Sequence, residues 1–343
     1  MRVFSDIDPD TYDRIEEVVR DGKYRDVDQF IRVAVQNQLN IERADEEQTS
    51  PSPDVQTNKK SDGGYAWGYS IPDNPPVSSP HEMNRENELL FQQYYRFFPL
   101  FPVLVELAEV TAETGEPAVL DEFRDHIVEK IEPLRDAIVD WEETNNVKKK
   151  NRKSTGLPKK DVKNPEYSEK RYLDHFVGKI RKRDLAPKSF PHSLGFIAYE
   201  PIDEEKCLMQ LTPAGKELLQ YENPLLGNGP DSPSLSREER EFLVTHIESE
   251  LPAEYRLMEF VYSTLPDDGN KTYTNWLDEF GEYLKEEGEL DEDASEERVR
   301  SHIAGVLSRM VELGILDRGS KRGVYIPTIP PGEFLNGPTK PTA

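Results

Sequence analysis

Arg171, His175, Gly178 and Lys182 stand at the same spacing as Arg298, His302, Gly305 and Arg309. Positions i, i+4, i+7 and i+11 share one face of a helix. Two cations, an imidazole and a glycine on one face suit a groove in a polyanion. Long cations reach phosphates or base edges, the imidazole donates a hydrogen bond, and glycine admits the backbone closely. Lys179 adds a cation to the first copy. The segments Lys170–Lys182 and Glu297–Arg309 superpose without a gap. Each has an apolar set to bury: Phe176, Val177 and Ile180 in one, Ile303, Ala304 and Leu307 in the other.

Other chemistries lack comparable support. The six histidines, at 81, 126, 175, 192, 246 and 302, include no pair at ligand spacing, so neither a metal nor another cofactor is expected. There is no phosphate-cradling loop of the Walker type and no nucleophile elbow. The single cysteine, Cys207, permits no intrachain disulfide and fits a reducing compartment. Acidic pairs such as Asp267-Asp268 and Glu204-Glu205 arise by chance among 67 acids. The chain is therefore read as a binding protein and not an enzyme.

The elements that must position these residues follow from periodicity. Apolar residues from Leu89 to Leu107, interrupted by Pro99 and Pro102, predict a first helix. Phe123, Ile127, Ile131, Leu134 and Ile138 predict a second over Leu120–Trp141, with Pro133 as a kink or break. Lys148–Lys163 reads as a basic loop, and the first ridge falls on a third helix over about Ser168–Leu185. Gly195–Glu200 and Cys207–Thr212 alternate as a hairpin. Thr212 then caps a helix opened by Pro213. After a break at Gly227–Pro233 the order recurs: helices over about Arg237–Leu265, Thr274–Glu286 and Ser295–Leu313, then a hairpin whose turn carries Arg318, Lys321 and Arg322. The turn of the first hairpin carries Asp203, Glu204 and Glu205 instead.

The 343 residues, 35% of them hydrophobic, suit several small cores better than one large one. No run approaches the roughly 20 apolar residues of a membrane span, and no secretory signal pattern opens the chain, so a cytoplasmic location is expected. The net charge of −24 opposes a polyanionic partner, but Lys148–Lys188 holds 15 Lys/Arg against 5 Asp/Glu, a local balance of +10. The acidity itself resembles that of proteins from salt-accumulating halophilic archaea, whose surfaces are acidic whatever they bind.

Residues 1–42 form a separate periodic block ahead of the Pro- and Ser-rich stretch Ala44–Pro80. Met1–Ile7 alternates, Asp8-Pro9-Asp10 opens a helix carrying Tyr12, Ile15, Val18 and Val19, and a second helix carries Phe30, Ile31, Ala34, Val35 and Leu39. One strand and two short helices cannot close a core alone, so a homodimer through residues 1–42 is expected.

Ile7-Asp8-Pro9-Asp10, the Gly22-Lys23-Tyr24 turn and Phe30-Ile31-Arg32-Val33-Ala34 resemble the ribbon-helix-helix (CopG/Arc/MetJ-like) regulators. The resemblance implies a two-chain ribbon reading the major groove of double-stranded DNA through Arg2, Phe4 and Asp6. Asp26 and Asp28 occupy the positions that clamp phosphate in that family, so the module is read either as a DNA contact or as dimerisation alone. Helix, helix, helix and hairpin, with Leu211–Leu219 after the first hairpin, resemble winged-helix domains. That likeness implies groove contact by the ridges and backbone contact by Arg318, Lys321 and Arg322.

The expected architecture is mainly α with small β. A ribbon-helix-helix module (1–42) and a flexible linker (43–85) precede two winged-helix-like α+β domains (86–226 and 234–330) and a tail (331–343). The expected function is a dimeric, sequence-specific transcription regulator, with repression as its mode. The alternative is a non-catalytic scaffold, or a DNA-targeting subunit of a defence or plasmid-partition system, whose winged helices bind protein.

Overall fold

The computed structural model describes residues 70–78, 87–181, 186–203, 206–265, 273–287, 290, 295–319 and 324–328, with 273–275 as backbone only. All lie in one unit, Asp62–Ile329. The ribbon-helix-helix expectation, with Arg2, Phe4 and Asp6, lies outside the described residues, as do Lys182, Lys321 and Arg322.

The described chain is mainly helical with small antiparallel sheets. Residues 87–97 form no helix; a 3-10 turn at Phe98–Leu100 leads into α1, Phe101–Thr114. The expected earlier start fails because this apolar run packs as an irregular strap with a turn at Phe91–Tyr94, burying Leu90, Tyr94 and Phe97. α1 ends at Gly115, whose φ of 72° lets its N–H return to the Thr111 carbonyl at 2.9 Å. β1 (Ala118–Val119) precedes α2 (Leu120–Thr144), whose stripe Phe123, Ile127, Ile131, Leu134 and Ile138 is buried as expected. Pro133 does not end α2: it lies on the exposed face, where water can satisfy the freed carbonyl.

α3 (Pro165–Tyr172) runs into a π-turn at Leu173–Val177 and stops at Gly178. β2 (Lys179–Ile180) and β3 (Pro187–Lys188) form a hairpin, and α4 (Phe190–Ser193) is a single turn. β4 (Ile197–Pro201) and β5 (Cys207–Leu211) pair in the expected hairpin, and β1 joins on the far side of β5 to give the order β1-β5-β4. Alternation buries Ile197, Tyr199, Cys207, Met209 and Leu211. Part of the expected linker also docks: Val77 bridges Leu211 in parallel, and the Ser78 N–H donates to the Leu211 carbonyl at 2.8 Å. Thr212 caps α5 (Pro213–Leu218) by accepting from the Gly215 N–H at 3.1 Å.

After α6 (Pro224–Asn228), Ser236 and Glu239 form a capping box at the start of α7 (Arg237–Glu250). The single helix expected over Arg237–Leu265 is two, because Pro252 displaces Leu251 from helical geometry and opens α8 (Pro252–Thr264). α9 (Tyr273–Glu286), α10 (Glu296–Glu312) and the hairpin of β6 (Leu316–Arg318) with β7 (Tyr325–Pro327) complete the order. No described helix is long and apolar enough to cross a membrane.

Candidate nucleic-acid interface

The two ridges do not share a geometry. In α10 the helix continues through Gly305 to Glu312, whereas the first copy leaves helical geometry at Gly178, where φ is 123°. Lys179 therefore sits in a strand beyond the helix. Gly178 and Gly305 are both packing glycines. A Cβ on Gly305 would meet the Gln92 backbone oxygen at 2.5 Å, and one on Gly178 would meet the Tyr199 hydroxyl at 2.8 Å. The space beside each glycine is taken by the protein's own Gln92 backbone or Tyr199 ring.

Arg309 is a correction to the sequence reading. It is 1% exposed, and its guanidinium donates to Glu254 at 2.6 and 3.0 Å and to the Tyr94 carbonyl at 2.8 Å. A side chain enclosed in this way cannot reach DNA. Arg318 is also engaged: it is half-buried, donates to the Ser308 hydroxyl at 3.2 Å, and has its pKa lowered by burial despite the opposing effect of Tyr325. Arg298 lies exposed in the first turn of α10, capped by Ser295. His302 is half-buried, and burial, then Arg309 and Arg298, push its pKa down to about 4.

The alignment that the structure supports starts elsewhere. Leu194-Gly195-Phe196 and Leu313-Gly314-Ile315 have matching conformations, with glycine φ of 75° and 73°. The N–H of Phe196 reaches the Pro191 carbonyl at 2.8 Å, and that of Ile315 reaches the Met310 carbonyl at 2.9 Å. The N–H of Thr212 closes on the Phe196 carbonyl and that of Thr328 on the Ile315 carbonyl, both at 3.0 Å. The two hydroxyls donate to Gly195 and Gly314. In this register Phe190 stands opposite Arg309, and the β2–β3 hairpin interrupts what is continuous helix in the second half. The repeated Leu-Gly pair was the available signal.

That interruption makes the best-defined basic surface among the described residues. Lys179 pairs with Lys188 across the hairpin, and the Arg181 N–H reaches the Ala186 carbonyl at 3.0 Å. Arg171, Lys179 and Arg181 are exposed, while Lys188 is half-buried with its ammonium 4.3 Å above the Phe91 ring. Asp174 organises the base by accepting from Lys179 and Arg124, each at 3.0 Å. Burial alone would raise its pKa; the donated hydrogen bonds outweigh that and hold it below the usual range. Burial, then Lys179 and Arg181, lower the Lys188 pKa.

His175 lies beneath these cations, edge-on to Phe91 at 5.7 Å and Tyr94 at 5.6 Å. Burial, then Arg171, push its pKa down to about 4, with Lys179 and Lys188 adding and Asp174 opposing. At neutral pH it is an uncharged seat for the patch. The unfolded chain, with an ordinary value of 6.5, binds more protons between pH 4 and 6.5. Its contribution is thus complete above pH 6.5 and lost on acidification toward pH 4. Allowing for partial exposure, this is about 1 kcal/mol. His175→Gln should therefore narrow the difference in melting temperature between about pH 7 and about pH 5, measured against the parent.

The Lys148–Lys163 loop is partly spent on structure. Lys153 donates to the Pro230 and Ser232 carbonyls at 2.7 and 2.5 Å and covers Trp141, while Lys160 pairs with Glu132 and Asp136. Ser154 anchors the loop to buried Glu142 through its N–H at 2.9 Å and its hydroxyl at 2.6 Å. Lys148, Lys149, Lys150, Lys159 and Lys163 remain exposed. Cys207 is buried, which pushes its thiol up to about 11. No group of His, Cys, Asp and Glu among the described residues is arranged to hold a metal ion. No protein-family model matches the chain, and no curated protein or solved structure is significantly similar to it.

Proposed function

We propose that the chain is a DNA-binding transcription regulator that grips duplex phosphates through the β2–β3 hairpin and the end of α3. The observation that carries this reading is the convergence of Arg171, Lys179 and Lys188 around His175, with Arg181 next to Lys188 in the same hairpin, in a chain whose net charge is −24. Such local concentration of like charge costs stability, and a polyanion relieves it. The helix-strand-helix order with sheet order β1-β5-β4 supports a winged-helix reading of the first half. In that reading the second half, with Arg309 and Arg318 engaged internally, acts as a brace. Dimerisation through residues 1–42 would place two such patches on one site, so that modest contacts gain by effective concentration.

Lys179→Gln, Arg181→Gln and Lys188→Gln together should weaken binding to mixed-sequence duplex and flatten its dependence on KCl. The slope of log affinity against log salt should fall by about 0.9 for each phosphate contact removed. Fluorescence anisotropy across a KCl series measures it. An unchanged slope in a variant with parental circular dichroism sinks the proposal.

A further inference from the structure

We infer that Tyr167 is a stacking platform for an unpaired DNA base at the edge of this patch; the inference rests on the nucleic-acid reading. Among the exposed large apolar side chains of the described residues, Val77, Val162, Tyr167, Ile202 and Ile326, Tyr167 is the most open at 64%. Its backbone is held: Asn164 Oδ1 accepts the Tyr167 N–H at 3.0 Å, and Pro165 fixes the first turn of α3. The ring therefore stands in solvent on an ordered helix.

Helical spacing puts Lys170 and Arg171 beside it at i+3 and i+4, and Lys163 lies just ahead of the cap; all three are exposed. Beyond Arg171 the helix passes into the π-turn that carries His175 and ends at Gly178, after which the chain enters the hairpin with Lys179. Acidic Glu169 lies about 200° around the helix from Tyr167, where it lines a crevice with Glu132, Arg135 and Lys160. Glu166 borders the aromatic face and tempers its charge without covering the ring.

An exposed aromatic face among cations that track a phosphate chain is the arrangement by which unpaired bases are held. Bases inside a duplex have both faces occupied and cannot use it. The preferred ligand is thus a duplex with a single-stranded tail or opened step, its paired part on the hairpin and its free base on Tyr167.

The test uses the full chain with three fluorescent DNA probes: a blunt duplex, the same duplex with an oligo-dT tail, and oligo-dT alone. The parent should bind the tailed duplex more tightly than the blunt one. Tyr167→Ala should remove that preference, about 5- to 150-fold for a stacked base, and leave blunt-duplex affinity unchanged. Tyr167→Trp should preserve it. Equal loss on blunt and tailed duplex, or a parent indifferent to the tail, overturns this inference and leaves the hairpin reading standing. Failure of the parent to bind any probe at low or high KCl overturns both.

Discussion

Arg309→Ala should lower the stability of the described unit by about 3–5 kcal/mol, the loss expected when one member of a buried ion pair is removed. Glu254 would be left as an uncompensated carboxylate, still accepting the Leu90 N–H at 3.0 Å but without the guanidinium. The Tyr94 carbonyl would lose its donor in the same step. For a unit of this size the melting temperature should fall by roughly 6–20 °C. The double change Glu254→Gln with Arg309→Met should recover much of that, since it removes both charges while keeping an acceptor for Leu90. Thermal denaturation of the two proteins decides the matter. A cost below about 1 kcal/mol for Arg309→Ala would mean that the pair does not hold the strap.

Gly305→Ala and Gly281→Ala should change stability in opposite directions. Both glycines lie inside helices, where alanine is intrinsically better by about 1 kcal/mol. Among the described residues, a Cβ at Gly281 would find only Val299 methyls at 3.4 and 3.5 Å, so the gain should appear. At Gly305 it would drive into the Gln92 backbone at 2.5 Å and crowd the Arg309 guanidinium at 3.2 Å. Displacing the strap should cost about 1–3 kcal/mol, more than the propensity gain returns. Chemical denaturation midpoints give the signs. A stabilising Gly305→Ala would reopen the possibility that this glycine exists to admit a partner.

What was legible in the sequence was mostly local. The stripe of α2, the Thr212 cap with Pro213, and the alternation of β4 and β5 need only neighbouring residues to be recognised. The break at Leu251–Pro252 was equally local, yet apolar periodicity on both sides concealed it. The ridges misled for a different reason. A cation at helical spacing looks the same whether it faces water or a buried acid, and the acid that encloses Arg309 is 55 residues away. Gly178 likewise reads as one position in a continuing helix until the contact with Tyr199 and the left-handed φ are seen. Lys179 was read as a cation on a continuing helix, and Arg181 and Lys188 were visible only as part of a basic run; their convergence depends on pairing Lys179 with Lys188.

The strap from Leu90 to Phe98 is clasped by matching turns of the two halves. Phe190 stacks on the Tyr94 ring at 4.6 Å, Arg309 holds the Tyr94 carbonyl, and Glu312 receives the N–H groups of Phe97 and Phe98 at 2.5 and 3.4 Å. Tyr94 and Arg309 are separated by 215 residues. During ribosomal synthesis at roughly 5–20 residues per second, the nascent strap waits about 10–40 s for its second clasp. For that interval the Tyr94 carbonyl and the Phe97 and Phe98 N–H groups are without the partners that the second half supplies. Completion of the first half's strap thus waits on the emergence of α10, and a translational pause between the two should prolong that stage.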